Sequence, residues 1–383
     1  MRIVTAGYVV PWHLANTLQR MPADFEVYVV GQGVSVHQRT YPKVHWIDID
    51  LERKASPLND LKALFSLCRV MGCIRPDIVH SIMPKAGLLA ALAGLMCRVP
   101  VRMHTFTGQV WATRRGVSKF FYYWMDRLIA SLNTICLTDS PSQSKFLAEQ
   151  GIKHQGMPLP VLSKGSLSGV DLPRFDRERL GIDASELRRK LGLSETEKVI
   201  AFIARKSLDK GALDMLEAYS RCALETHDVR LLFVGPDESV GAVESFFYAH
   251  PELIPKILNV GMVDKHETYL AMSDVLCLPS YREGFGSIVI DAAAAGIPTI
   301  GTRIPGLVDA IEDRITGVLC PVGDVAALTT AMRDMLADDA KRKQMGQNAR
   351  LRAQEFFSAD VLYAALREQY LLLAAQAHDK GRL

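Results

Sequence analysis

Along most of this chain, short apolar runs alternate with stretches whose apolar positions recur every three or four residues. The runs, rich in valine, isoleucine and leucine, read as strands, and the helical recurrences read as helices packed on them. The first half predicts strands at 2–7, 26–30, 44–49, 77–81, 101–105 and 135–140. Helices are expected at 13–20, 59–71 and 85–97, and another after residue 140, capped by Ser142 or Ser144. Periodicity fades over 163–183, which reads as a linker. Alternation resumes with strands at 199–204, 230–235, 274–278 and 299–300, a helix from residue 212 and a last helix over 359–375. Such alternation implies parallel sheets with helices on both faces. The chain is therefore α/β, with domains expected at 1–172 and 173–358 and a closing segment at 359–383.

One stretch concentrates candidate chemistry. A buried strand ends at Pro279, and a helix over 287–295 is stopped by Gly296 and Pro298. Between them stands Arg-Glu-Gly-Phe-Gly, whose glycines let the backbone turn tightly and approach a ligand. The amides of Gly286, Ser287 and Ile288 then open a helix at a strand's carboxyl end, a place for a phosphate or diphosphate. Glu283 stands at the mouth of the loop and Asp291 about one turn into the helix. Alone, this is also how an ordinary strand–loop–helix connection reads. Strand 199–204, however, ends in Arg-Lys-Ser-Leu-Asp-Lys-Gly. Its Arg205 and Lys210 suit a diphosphate whose negative charge grows as its substituent leaves. His104 ends a strand ahead of a glycine-containing loop, which favours its facing a cleft. His80 is a weaker candidate, a strand-end residue supporting the site.

Charge adds an asymmetry. The net +3 divides into +8 over residues 1–172, from 19 Lys and Arg against 11 Asp and Glu, and −5 over the rest. A basic first half points to a membrane surface, lipid phosphate or nucleic acid. A helix expected from Ser118 places Phe121, Trp124, Met125, Leu128 and Leu132 on one face, assigned to the core. Lys119, Tyr123 and Arg127 fall opposite, near Arg114 and Arg115, and suit an anionic lipid surface. Seven cysteines form no CxxC pair and read as reduced core residues of a cytoplasmic protein. Residues 1–10 lack a signal-peptide apolar region, and the longest apolar run, 86–97, is too short to span a bilayer. Asp48-Ile-Asp50 has the form of a metal-binding DxD, but the alternation along 44–50 argues for an ordinary strand end.

Glu283, followed by seven residues and then Asp291, resembles the paired-carboxylate motif of retaining glycosyltransferases of the GT-B fold, family 4. The resemblance implies two Rossmann-like domains facing a cleft, with the last helix crossing back to the first domain. It implies that Arg205, Lys210 and the backbone of Gly284, Phe285, Gly286, Ser287 and Ile288 hold the donor diphosphate. Asp291, where the family usually has the longer Glu, would bind the ribose, while Glu283 and His104 position the transferred sugar. Gly7 stands where the family carries Gly-Gly and is a further donor-contact candidate. The leaving phosphate itself would take the acceptor proton, and no metal is expected. The segment from His104 to Arg114 resembles bacterial transferases that build O-antigen and capsule on lipid carriers. That implies a nucleotide-sugar donor, most simply a UDP-sugar, a lipid-linked saccharide acceptor and a peripheral position on the inner membrane face, with no nucleic-acid partner. Lys85, Trp111, Arg114, Arg115 and Lys119 are the candidates for acceptor or membrane contact. A UDP-sugar 2-epimerase of the same plan and a non-catalytic donor-binding subunit are the alternatives.

Overall fold

The computed structural model describes residues 10–52, 56–225 and 228–379. The expected strand at 2–7 and Gly7 lie outside the described residues. The chain divides into two compact units, one of residues 1–169 with 359–383 and one of residues 170–358.

In the first unit β1 (Tyr28–Gly31) pairs in parallel with β2 (His45–Asp48). A second parallel sheet runs in the order β3 (Ile78–Ser81), β4 (Val101–Phe106), β5 (Ile135–Thr138), with Ser81 opposite His104. Helices Pro57–Ile74 and Pro84–Met96 both begin on proline, whose fixed φ and missing N–H suit a first helical turn. The helix after β5 is Pro141–Glu149, and its cap is Ser140, which accepts from the amide of Gln143. Ser142 and Ser144 lie inside it, because Pro141 takes the first helical position. The long helix Ala359–Asp379 belongs to this unit. Leu366, Tyr370 and Ala377 enter a core with Val29, Ile78 and Met103.

The second unit holds one six-stranded sheet, all parallel. Its order is β11 (Gly317–Cys320), β10 (Thr299–Thr302), β9 (Val275–Leu278), β6 (Lys198–Ile203), β7 (Val229–Val234), β8 (Ile257–Val260). Successive residues of β6 enter opposite cores: Val199, Ala201 and Ile203 on one face, Ile200 and Phe202 on the other. A sheet covered on both faces needs such continuous apolar strands. The expected linker at 163–183 is partly wrong, since Leu172–Phe175 is a 3-10 turn and Arg177–Lys190 a helix capped by Asp176. Phe175, Leu180 and Ala184 supply the sparse apolar contacts that hold these residues to the unit. Val170 donates its amide to Phe357, so the unit's two ends lie side by side.

The helix Gly116–Leu132 begins two residues before Ser118. Of the residues expected in the core Met125 packs there, and Lys119 and Arg127 are exposed as expected, but three others face outward. Phe121, Trp124 and Leu128 are exposed, while Asp126, Ile129 and Ala130 are buried. The reason is polar. Trp111, itself buried, donates from Nε1 to Asp126 Oδ2 at 2.8 Å and stacks on Phe146, which fixes the inward side of the helix. Tyr123 also belongs to that inner side, its hydroxyl reaching the carbonyl of Gln150 at 2.7 Å.

Candidate functional site

Strands β6 and β9 are neighbours at the point where the strand order reverses, with β7 beyond β6 on one side and β10 beyond β9 on the other. The loops leaving their carboxyl ends therefore flank a topological switch point, where open parallel sheets bind ligands. The β6 loop carries Arg205, Asp209 and Lys210. The β9 loop carries Ser280, Arg282, Glu283 and the glycines.

The two loops meet through charge. Lys210 Nζ lies 2.6 Å from Glu283 Oε1, and the same oxygen accepts from Ser280 Oγ at 2.8 Å. Both partners are half-buried, so the pair is shielded more than a surface ion pair. Asp209 ties the loops a second time: it accepts from Arg282 at 3.0 Å, Arg205 at 3.4 Å and Ser207 Oγ at 2.5 Å. Burial opposes ionisation of Asp209, yet the Ser207 hydroxyl and the cations Arg205, Arg282 and Lys210 outweigh it and hold its carboxyl below the ordinary range. Arg205 also pairs with Glu238. Three cations are thus gathered on a carboxylate scaffold at one strand-end rim.

Helix Ser287–Ala295 starts at Gly286, whose φ is +86° and which offers no side-chain cap. Val289 donates its amide to the Gly286 carbonyl at 2.8 Å, while the amides of Ser287 and Ile288 have no acceptor within the helix. Gly306 presses close: a Cβ there would lie 2.3 Å from the carbonyl oxygen of Gly284. Backbone conformation and crowding both demand glycine at these places. Ser287 and Ile288 are half-buried at the turn, whereas the Phe285 side chain is core, packed edge-on against Phe357 at 5.1 Å. Only its backbone faces the loop's task. Asp291 accepts from His266 Nε2 at 2.9 Å. Behind them Glu267, next to His266, is gripped by Arg174 at 2.7 Å.

Arg205, Lys210, Glu283, the 284–288 turn and Asp291 are therefore assembled in the second unit. Sequence reasoning missed Asp209, Ser280, Arg282 and His266. Asp209 was legible in principle as the carboxylate between the two named cations. His266 had no signal, lying 25 residues from Asp291 on another helix.

The remaining candidates belong to the first unit. His104 is buried, 1% exposed, instead of standing open at its strand end. Its Nδ1 lies 2.8 Å from Ser81 Oγ, and a Cβ at Gly87 would sit 2.5 Å from its ring. Burial, with His80 adding, pushes its imidazole down to about 3, which keeps the ring neutral. His80 is bracketed by Tyr370 OH at 2.7 Å and Thr105 Oγ1 at 2.8 Å, and burial brings it down to about 4. Lys85 pairs with Asp60 at the start of its helix. Trp111 is buried and cannot meet a membrane, while Arg114, Arg115 and Lys119 are exposed. Asp48 of the DxD is engaged by the hydroxyl and amide of Ser35, which hold its carboxyl below the ordinary range.

Two family models match the chain: "Glycosyl transferases group 1" over residues 183–352 and "Glycosyl transferase 4-like domain" over residues 7–159. The capsular polysaccharide biosynthesis glycosyltransferase CapM of Staphylococcus aureus is 25% identical over 333 residues, covering 87% of this chain and 86% of that one. The UDP-Gal:alpha-D-GlcNAc-diphosphoundecaprenol alpha-1,3-galactosyltransferase of Escherichia coli is 27% identical over 78% of this chain and 76% of its own. Among solved structures, sucrose-phosphate synthase of Thermosynechococcus elongatus superposes with a TM-score of 0.80 at 20% identity, over 98% of this chain and 99% of that one. HepE of Anabaena, solved with UDP and glucose, gives 0.79 at 15% identity, over 96% and 98%. With two glycosyltransferase models taking in most of its length and a GT-B fold throughout, the chain belongs to the GT-B glycosyltransferases, a group 1 domain following a 4-like domain.

Proposed function

We propose that this transferase moves a sugar from a nucleotide diphosphate sugar, most simply a UDP-sugar, to a lipid-linked saccharide in bacterial surface polysaccharide synthesis, with retention of anomeric configuration. The observation that carries the reading is the junction of Lys210 with Glu283 beside the uncapped turn at Gly286, with Asp291 one turn deeper. Relatives support it: one is named for capsule synthesis and another for transfer from UDP-Gal to a diphosphoundecaprenol-linked sugar.

In this reading the β6 and β9 loops hold the donor. Lys210 and Arg205 face the diphosphate, together with the first-turn amides of helix Ser287–Ala295, whose dipole contributes roughly half a positive charge. Donors fixed in advance stabilise the charge that appears on the phosphate as the glycosidic bond breaks. Glu283, oriented by Ser280 and Lys210, faces the sugar hydroxyls, and Asp291 takes the ribose. The leaving phosphate oxygen takes the acceptor proton, and the cations do the work a metal does in other sugar-nucleotide enzymes.

Two measurements test this. Nucleotide diphosphate sugars should raise the melting temperature, since a ligand at 100 times its Kd adds about 2.7 kcal/mol. One of them should then label a lipid-linked saccharide, with the new linkage keeping the donor's configuration by NMR. Release of free sugar with no lipid product in the presence of acceptor would overturn the transfer reading.

A further inference from the structure

The helix Gly116–Leu132 carries its most apolar arc outward. Val117, Phe120, Phe121, Trp124 and Leu128 are 85, 65, 57, 49 and 44% exposed. Their spacing is that of one continuous face, opposite the buried Asp126, Ile129 and Ala130. Scattered exposed hydrophobics are ordinary, but five large ones on one helical stripe form a patch that marks a binding surface.

Charge says what it binds. Between residues 99 and 148 the only carboxylates are Asp126 and Asp139, and both are buried. The exposed charge carried by residues 99–148 is consequently all positive, with the exposed Glu149 the first carboxylate beyond them. Arg127 lies over the Trp124 ring at 5.1 Å from its centroid, and Arg114 over Tyr122 at 4.8 Å. Arg115 and Lys119 stand exposed on the same helix start. A protein surface complementary to the apolar stripe has no call for such a cationic border. An anionic bilayer does, because apolar rings enter the acyl boundary while guanidinium and ammonium groups stay with the phosphates. Arginine stacked on an aromatic ring holds its charge at that boundary.

We infer that this face is an interfacial anchor that seats the first unit on an anionic lipid surface. Phe120, Phe121 and Trp124 enter below the headgroups, and Arg114, Arg115, Lys119 and Arg127 lie among the phosphates. The anchor deepens the lipid-linked acceptor reading, on which it rests for its purpose. Its geometry is independent of the donor site.

The test uses the full chain with phosphatidylcholine vesicles containing phosphatidylglycerol, and with phosphatidylcholine alone. The wild type should sediment with the anionic vesicles, and lipids brominated near the headgroup should quench its fluorescence through Trp124, an effect lost in Trp124→Phe. Phe120→Ser with Phe121→Ser and Trp124→Ser should weaken vesicle binding at least tenfold. Arg114→Glu with Arg115→Glu should weaken it similarly at low salt and less at high salt. The serine variant should keep its melting temperature and its turnover of donor with a soluble acceptor, because the replaced side chains are exposed. Serine-variant binding equal to wild type, or a wild type indifferent to anionic vesicles while it still turns over donor, overturns the anchor and leaves the transferase reading standing. Vesicle binding by a wild type that transfers no sugar keeps the anchor and sinks only the proposed reaction. A dimer that the serine changes disperse, with vesicle binding unaltered, would assign the face to a second copy instead and overturn the proposal.

Discussion

His266 Nε2 stands 2.9 Å from Asp291 Oδ2, on the short helix His266–Ala271 facing helix Ser287–Ala295. The shorter carboxylate at this position is thus fixed by a neighbour and does not swing freely. A hydrogen bond to a charged group contributes about 1.5–3 kcal/mol. Asp291→Asn should accordingly raise the donor KM roughly tenfold or more, with a smaller change in kcat. His266→Ala should raise the same KM less, by loosening Asp291. Initial rates against donor concentration measure both, and an unaltered KM in Asp291→Asn would place the ribose contact elsewhere.

Lys210→Ala should lower kcat/KM by about 10²–10³-fold, the range for removing one donor aimed at developing charge. The change also strips Glu283 of its counter-ion, so Glu283→Gln in the same background should recover some stability without recovering rate. Arg205→Ala should lower kcat/KM in the same direction, with circular dichroism unchanged. Near-wild-type turnover in both single variants would remove the diphosphate assignment.

Chelation offers a separate check on the charge argument. With Lys210, Arg205 and a helix start supplying positive charge, EDTA should leave transfer intact. Strict dependence on Mn²⁺, lost in Asp48→Ala, would move the donor chemistry to the first unit.

Asp126 gives the first unit a distinctive pH response. Burial, only partly offset by the Trp111 N–H, lifts its carboxyl to about 7. Between its unfolded value of 3.8 and about 7 the folded form keeps a proton that the unfolded chain has released, so its contribution to stability falls as pH rises through that window. His80 and His104 run oppositely. They are held neutral with depressed values, and their contribution is complete above 6.5 and lost as pH falls toward about 4 and about 3. Asp126→Asn removes only the first effect, while its amide oxygen still accepts from Trp111. The variant should therefore gain on the parent as pH rises from about 5 to about 8, by a few degrees in Tm. A constant offset across that range would show that Asp126 is not raised.

Periodicity announced most of the sheet because buried parallel strands are continuous apolar runs, and β6, β7 and β9 are such runs. It was silent on both edge strands: β8, Ile-Leu-Asn-Val after two prolines, which is half-exposed, and β11, a buried run of only four residues that opens on glycine. Lys210 and Glu283 were legible one by one, but their pairing depends on β6 lying beside β9, a tertiary fact. Helix Gly116–Leu132 was misread in part: Phe121, Trp124 and Leu128, assigned to the core, face outward with Val117 and Phe120, while Met125 packs inward as expected. Which arc goes inside was decided by a buried Trp111–Asp126 hydrogen bond, and no hydrophobicity pattern encodes that.

The helix Ala359–Asp379 has a bearing on how the protein is made. Tyr370, the hydrogen-bond partner of His80, follows it by 290 residues. Domains generally fold as units during synthesis, in order from the N-terminus. Here residues 170–358 form a continuous unit, whereas the unit begun earlier must wait for helix Ala359–Asp379. Until then Val10, Leu14, Ile78 and their neighbours lack the cover that Leu366, Tyr370 and Ala377 provide. The nascent protein therefore carries an open apolar flank until residues 359–379 have been made, and chaperone demand should centre on the half emerging first.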